Sequence, residues 1–230
     1  MPIVMNENKS FTASYSADDF IVGWDFVKPG NAGRTADFAA ADNDAASLIM
    51  RDAEGNEKGW LDKSMVGAGG YEGRPAAVCW HAGSKNGDVG IYYWQTSINA
   101  AAFTDLKIIT SMVYNFNAYT KQLIEYSLDG KNWNTAGYIT LEGAKQWKDA
   151  TITLPAEVNN KEKVYIRWIS DKTSSIDGTA SANDGIALGA TFIVGKTKII
   201  DDGKAPVLVS SVPANNGSGV SANGKVVLTF

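Results

Sequence analysis

The sequence predicts an all-β fold, and three observations predict it. Apolar and β-branched residues come in short runs separated by Gly, Asn and Asp. Several runs alternate between apolar and polar positions, and no stretch keeps a helical period long enough for an amphipathic helix. At 230 residues with 44% apolar content, the chain can bury the core of one large sandwich or of two small domains.

In chain order the expected strands cover residues 20–26, 76–81, 89–95, 106–114, 121–127, 134–139, 148–154, 163–169 and 185–194. The clearest hairpin runs from Gln122-Leu123-Ile124-Glu125-Tyr126-Ser127 through Leu128-Asp129-Gly130-Lys131-Asn132 to Trp133. Asp129-Gly130 supplies the positive-φ position a tight reversal needs. In 163–169, Val164, Ile166 and Trp168 share one face, and Tyr165, Arg167 and Ile169 share the other. The first face reads as core, the second as amphipathic. Trp24, Trp80, Trp94, Trp133 and Trp168 are assigned to the core, with Trp147 left open.

Residues 30–73 are rich in Gly, Ala, Asp and Asn and read as a long irregular excursion, with one helical turn near 44–48. Residues 170–184 form a second loop-like stretch. Long loops in compact domains often carry function. After Gly195 a polar segment ends at Pro206, and two further strands follow at 207–213 and 224–230. The expected organisation is a tail at 1–16, a sandwich at 17–196, a linker at 197–205 and a second, cut-off domain at 206–230. With no leader-like start and a strand pattern running to Phe230, the chain reads as a piece of a longer polypeptide.

The composition excludes several functions. A net charge of −4 without any Lys/Arg cluster offers no track for a nucleic-acid backbone. No apolar run approaches the ~18 residues of a membrane-spanning helix. Cys79 is the only cysteine, so no intrachain disulfide can form, and it reads as a small buried side chain. His81 is the only histidine, which rules out a multi-histidine zinc site. There is no Gly-x-Ser-x-Gly elbow, P-loop or dinucleotide fingerprint. The chain is therefore expected not to be an enzyme itself.

The aromatic residues are the remaining resource for recognition. Flat rings against sugar C–H surfaces, flanked by amides, carboxylates or arginine, are what carbohydrate binding requires. Two groups have that make-up: Trp60, Tyr71 and Arg74 in or just after the long excursion, and Tyr114, Asn115, Phe116 and Tyr119 at a strand-to-loop tip. The competing reading is that these rings are core.

Two stretches resemble known families. Residues 20–195 carry Gly23-Trp24-Asp25-Phe26, Tyr93-Trp94-Gln95-Thr96, the Tyr126-Ser127-x-Asp129-Gly130-x-x-Trp133 hairpin, Tyr165-Ile166-Arg167-Trp168 and the closing run Gly185 to Gly195. They resemble the jelly-roll modules attached to secreted bacterial hydrolases, nucleases and phosphoesterases, similar to galactose-binding-like and discoidin-type sandwiches. That resemblance implies a jelly-roll β-sandwich acting as an accessory module, with glycan or substrate binding as the leading function. A spacer or adhesion module that positions a neighbouring hydrolase or phosphoesterase domain is the alternative. It also implies a structural calcium ion near the terminal strands, for which Asp25 and Asp184 are the candidate ligands; solvated turn residues are the competing reading. Residues 205–230, with Ala205-Pro206-Val207, Ser211-Val212-Pro213 and Val226-Val227-Leu228-Thr229-Phe230, look like the start of a bacterial immunoglobulin-like domain. That resemblance implies an extracellular or cell-surface location, with neighbouring domains of the same polypeptide as partners.

Overall fold

The structure is a computed structural model and describes residues 19–27, 35–58, 72–79, 92–114, 119–174 and 185–198, together with 210–212 and 227–229. The strands are β1 (Asp19–Trp24), β2 (Phe38–Ala39), β3 (Ile49–Arg51), β4 (Glu57–Lys58), β5 (Ala77–Cys79), β6 (Tyr93–Ile98), β7 (Phe103–Tyr114), β8 (Lys121–Ser127), β9 (Asn134–Thr140), β10 (Lys148–Thr153), β11 (Val164–Ser170), β12 (Ile186–Thr197), β13 (Ser210–Val212) and β14 (Val227–Thr229). Two compact units are present, 1–198 and 199–230.

The larger unit is the expected all-β jelly-roll sandwich. Its first sheet has the order β10-β7-β12-β1-β2, with β5 also paired to β12; its second has the order β4-β3-β6-β11-β8-β9. All these pairings are antiparallel. From β6 to β12 the chain passes back and forth between the sheets, and only β8 and β9 follow one another within one sheet. Each sheet therefore buries one face against the other, and the alternating sequences satisfy that demand directly. Val164, Ile166 and Trp168 point inward from β11, while Ile108 and Met112 of β7 and Ile21 and Trp24 of β1 belong to the same buried cluster. Trp24, Trp94 and Trp168 are fully buried, as the sequence predicts.

Three features differ from expectation. The excursion after residue 30 is less irregular than its composition suggests, because β2, β3 and β4 lie within it. Its helical turn is a 3-10 turn at Ala41–Asn43, slightly before the expected position. Trp133 is half-buried and stacks outside the second sheet, so it is not core. Trp147 is also half-buried: it packs against the small cluster of Ala76, Val113 and Ala187 and covers Gly189, where a Cβ would meet its ring at 2.8 Å. Trp80, His81 and the side chain of Cys79 lie outside the described residues.

In the smaller unit, β13 and β14 pair antiparallel with Ser211 opposite Leu228. Among the described residues, no helix is long and apolar enough to cross a membrane.

Candidate functional site: the outer face of the second sheet

The period of two that sends Ile166 and Trp168 inward sends Tyr165, Arg167 and Ile169 outward. Register then decides who meets them. Arg167 lies between Gln95 of β6 and Glu125 of β8, and Tyr165 lies between Ser97 and Ser127. Arg167 Nε donates to Glu125 Oε2 at 2.7 Å, and Nη2 approaches the same oxygen at 2.6 Å. The side chains of Arg167 and Glu125 are only 18% and 13% exposed, so this pair is shielded and its charge-assisted bonds are strong.

The guanidinium sits between two rings. Its Cζ is 4.1 Å from the Trp133 ring centroid and 5.1 Å from that of Tyr93. A planar guanidinium stacks on aromatic faces in a way a lysine ammonium cannot. Tyr138 of β9, 57% exposed, lies opposite Leu123 and carries Lys121 Nζ 4.6 Å over its ring. Lys121 itself pairs with Asp171 at 3.2 Å.

The hairpin between β8 and β9 places two of these rings. Asp129 accepts the backbone N–H groups of Lys131 and Asn132, the Asn132 side-chain amide at 2.7 Å, and the Ser127 hydroxyl. These donors hold its carboxyl far below the ordinary carboxylate range, led by the Asn132 and Lys131 backbone bonds. Gly130 has φ of +74°, and a Cβ there would lie 3.2 Å from the Tyr165 ring. The Ser-x-Asp-Gly turn thus fits closely over Tyr165 and delivers Trp133 to Arg167. The sequence treats this motif as a mark of the fold, whereas in the structure it also builds the aromatic face.

A cleft of about 390 Å³ adjoins the same face. Its walls are the turn before β3, the outer side of β3 and β6, and the start of β11, and it shares Gln95 and Tyr165 with the aromatic group's surroundings. Asn43 closes one end: its Nδ2 donates to the Asn99 carbonyl at 3.0 Å and its Oδ1 accepts the Asn99 N–H at 2.7 Å.

The residues singled out in the sequence lie elsewhere. Arg74 pairs with Asp149 at 2.5 Å and lies 5.4 Å from the Trp147 ring centroid, while Trp147 Nε1 donates to the Glu72 carbonyl. Tyr114 and Tyr119 are 4% and 6% exposed, and burial pushes both phenols up. Neither ring offers an open face, for the same reason that fills the rest of the core: large apolar area is removed from water there. Arg74, Tyr114 and Tyr119 therefore form no common exposed surface. Trp60, Tyr71, Asn115 and Phe116 lie outside the described residues. Asp25 Oδ1 accepts the Val27 N–H at 3.0 Å, as a turn-forming aspartate does, and the Asp25 N–H donates to Asp37 Oδ2. Asp184 lies outside the described residues.

The sequence signal for the outer face is the alternation of residues 163–169, which leaves an arginine and a tyrosine pointing away from the core. What hides it is register, since nothing local to Arg167 says that Glu125 and Gln95 lie opposite.

No family model matches the chain, and no curated protein matches it. Solved structures with some likeness include the K1 cleaved adhesin domain of Lys-gingipain from Porphyromonas gingivalis W83, at 17% identity and a TM-score of 0.39, covering 68% of this chain and 92% of that one. TmCBM61 in complex with β-1,4-galactotriose is 12% identical with a TM-score of 0.35, covering 68% of this chain and 86% of that one. A family 29 carbohydrate-binding module variant complexed with mannohexaose is 10% identical with a TM-score of 0.37, covering 83% and 99%. Likeness at this level lends neither residues nor a ligand to this chain.

Proposed function

We propose that the chain is a non-catalytic glycan-binding module and that it binds with the outer face of its second sheet. The observation that carries this reading is the pair of partly exposed rings on this face, Trp133 stacked on the shielded Arg167, which itself rests on the buried Tyr93, and Tyr165 two residues along β11, beside a polar cleft. The partly exposed rings of Trp133 and Tyr165 present apolar surface to sugar C–H groups, and adjacent amides, carboxylates and hydroxyls receive the sugar hydroxyls. The module works outside the cell as an accessory domain of a multidomain surface or secreted protein, and residues 206–230 open a following immunoglobulin-like domain.

A structural calcium at Asp25 and Asp184 belongs to the same proposal. Asp25 Oδ2 receives no hydrogen bond from the described residues, and calcium needs several such oxygens. A Tm that does not move on chelation removes it.

Affinity gels cast with soluble polysaccharides test the main reading. Retardation of the folded chain by at least one of them is expected. A folded chain that none retards overturns the reading and favours the alternative, a spacer that positions a neighbouring domain.

A further inference from the structure

We propose that the cleft beside the aromatic face is a specificity subsite that receives one or two neutral sugar rings and discriminates against uronates. This rests on the glycan-binding reading above and assigns the class of sugar.

The first argument is charge. The cleft is lined by two cations, Arg51 and Lys163, and by two anions, Asp42 and Glu162, so its formal charge sums to zero. A carboxylate-bearing sugar gains no net attraction there and meets two like charges. Lys163 Nζ lies 5.1 Å over the Tyr165 ring, and Arg51 Nη1 donates to the Gly55 carbonyl at 2.9 Å, so both cations are already partly engaged.

The second argument is hydrogen-bonding capacity. A sugar hydroxyl both donates and accepts, and a site for it needs both kinds of partner interleaved. Gln95 supplies an amide N–H₂ and a carbonyl, Ser97 supplies a hydroxyl, and Asp42 and Glu162 supply acceptors. None of these four side chains takes a hydrogen-bond partner among the described residues.

One buried polar atom of a lining residue, Arg51 Nε, also lacks a hydrogen-bond partner. Unsatisfied buried polar groups are uncommon in folded proteins and call for an explanation. Arg51 Nε is thus a donor at this wall that the fold itself does not use.

The third argument is size and shape. A volume of about 390 Å³ is near the lower end of the range for small-molecule sites, so the cleft suits a short segment of a glycan. Asn43 fixes its end through two hydrogen bonds to Asn99, so the subsite is formed before ligand arrives. Gln95 stands directly opposite Arg167, which places the cleft in line with the rings.

The test titrates the full chain calorimetrically with soluble galactan, mannan and glucan, and with polygalacturonate as the acidic counterpart. Two variants accompany it: Gln95→Ala, which removes an amide, and Ser97→Trp, which fills the cleft. Near-UV circular dichroism reports their folding, and Gln95→Ala carries the test if Ser97→Trp does not fold. The expected result is binding of a neutral glycan, with polygalacturonate at least about tenfold weaker. Each variant should lose about tenfold in affinity, and affinity should hold within roughly twofold between about 0.1 M and 1 M salt, where screening removes most exposed charge attraction. Polygalacturonate binding as tightly as the neutral polymers, or neutral binding untouched by Gln95→Ala, overturns the subsite and leaves the glycan-binding reading standing. Failure of the wild-type chain to bind any of the four overturns that reading, and the subsite with it.

Discussion

The two sheets turn different surfaces to the outside. On the first sheet Phe20, Phe38 and Phe192 meet with ring centroids 5.6–6.5 Å apart, and Phe192 lies over Gly23, where a Cβ would stand 2.3 Å from its ring. Ile109, opposite Phe192 on β7, is also exposed. These three rings pack on one another. On the second sheet Tyr93, Trp133, Tyr138 and Tyr165 each face a cation: Arg167 for the first two, then Lys121 and Lys163. Rings packed on one another exclude water without orienting a ligand's hydroxyls. Rings paired with cations beside hydroxyls, amides and carboxylates can both stack on a polyol and fix its hydroxyls. The comparison teaches that exposed aromatic area alone does not mark a binding face, whereas the polar groups placed around it do.

The largest effect that would break this comparison is expected from Arg167→Ala. It leaves the shielded Glu125 with only the 3.5 Å bond from the Thr135 hydroxyl and removes the plate between Tyr93 and Trp133. Stability should fall by about 3 kcal/mol, the cost typical of breaking one side of a buried pair, as read by urea denaturation, and glycan binding should vanish with it. Arg167→Lys keeps the charge and loses the stack, so it should recover part of the stability and little of the binding. Equal binding by the lysine variant and the wild type would remove the stacking role.

Trp133→Ala separates binding from folding more cleanly, because this ring is half-buried and outside the core. Affinity should drop up to about tenfold, in line with ~0.5–1.5 kcal/mol for a lost aromatic contact, with a smaller change in Tm than Arg167→Ala produces. Gly130→Ala sharpens the role of the hairpin. A side chain at φ +74° costs roughly 1–2 kcal/mol, and its Cβ would press on the Tyr165 ring, so a modest loss of both stability and affinity is expected from thermal melts and titration.

A smaller effect is expected from acid. The carboxyl of Asp129 is held well below its ordinary value by the hairpin donors. A depressed folded pKa means that its contribution is fully present above the unfolded value near 3.9, and is lost only as pH falls through the lower folded value. The hairpin should therefore keep Trp133 in place from neutral pH down to about 4, seen as an unchanged near-UV tryptophan signal. An Asp129→Asn variant that loses this signal at neutral pH would show how much the charge itself contributes. The smallest effect on binding belongs to the first sheet: Phe38→Ser should leave glycan affinity unchanged while lowering the tendency to self-associate, measured by light scattering.

Much of the fold is legible in the sequence because half-buried strands must alternate. Residues 121–127 and 163–169 show it plainly, and the Asp129-Gly130 reversal marks the turn between β8 and β9. The two- and three-residue strands β2, β3 and β4 are too short to display any period, so they hide in a Gly- and Asp-rich stretch. The candidate site is less legible. Trp133 reads as core by type, yet Arg167, 34 residues further along the chain, gives it a partner on the outer face. The aromatic residues at 114 and 119 read as a loop tip, yet Tyr114 ends a long core strand and Tyr119 packs beside β8, where Gln122 Nε2 donates to its carbonyl. Alternation tells which face a residue takes; it does not tell which residue of another strand will share that face.

The central claim is that glycan is bound on the outer face of the second sheet. It is tested most directly by titrating one soluble neutral polysaccharide that retards the wild-type chain into three proteins in parallel: wild type, Trp133→Ala and Phe38→Ser, each with its Tm measured. The predicted result is wild-type affinity for Phe38→Ser and a loss of severalfold, up to about tenfold, for Trp133→Ala with its fold intact. Wild-type affinity in a folded Trp133→Ala protein, or a loss confined to Phe38→Ser, would contradict it.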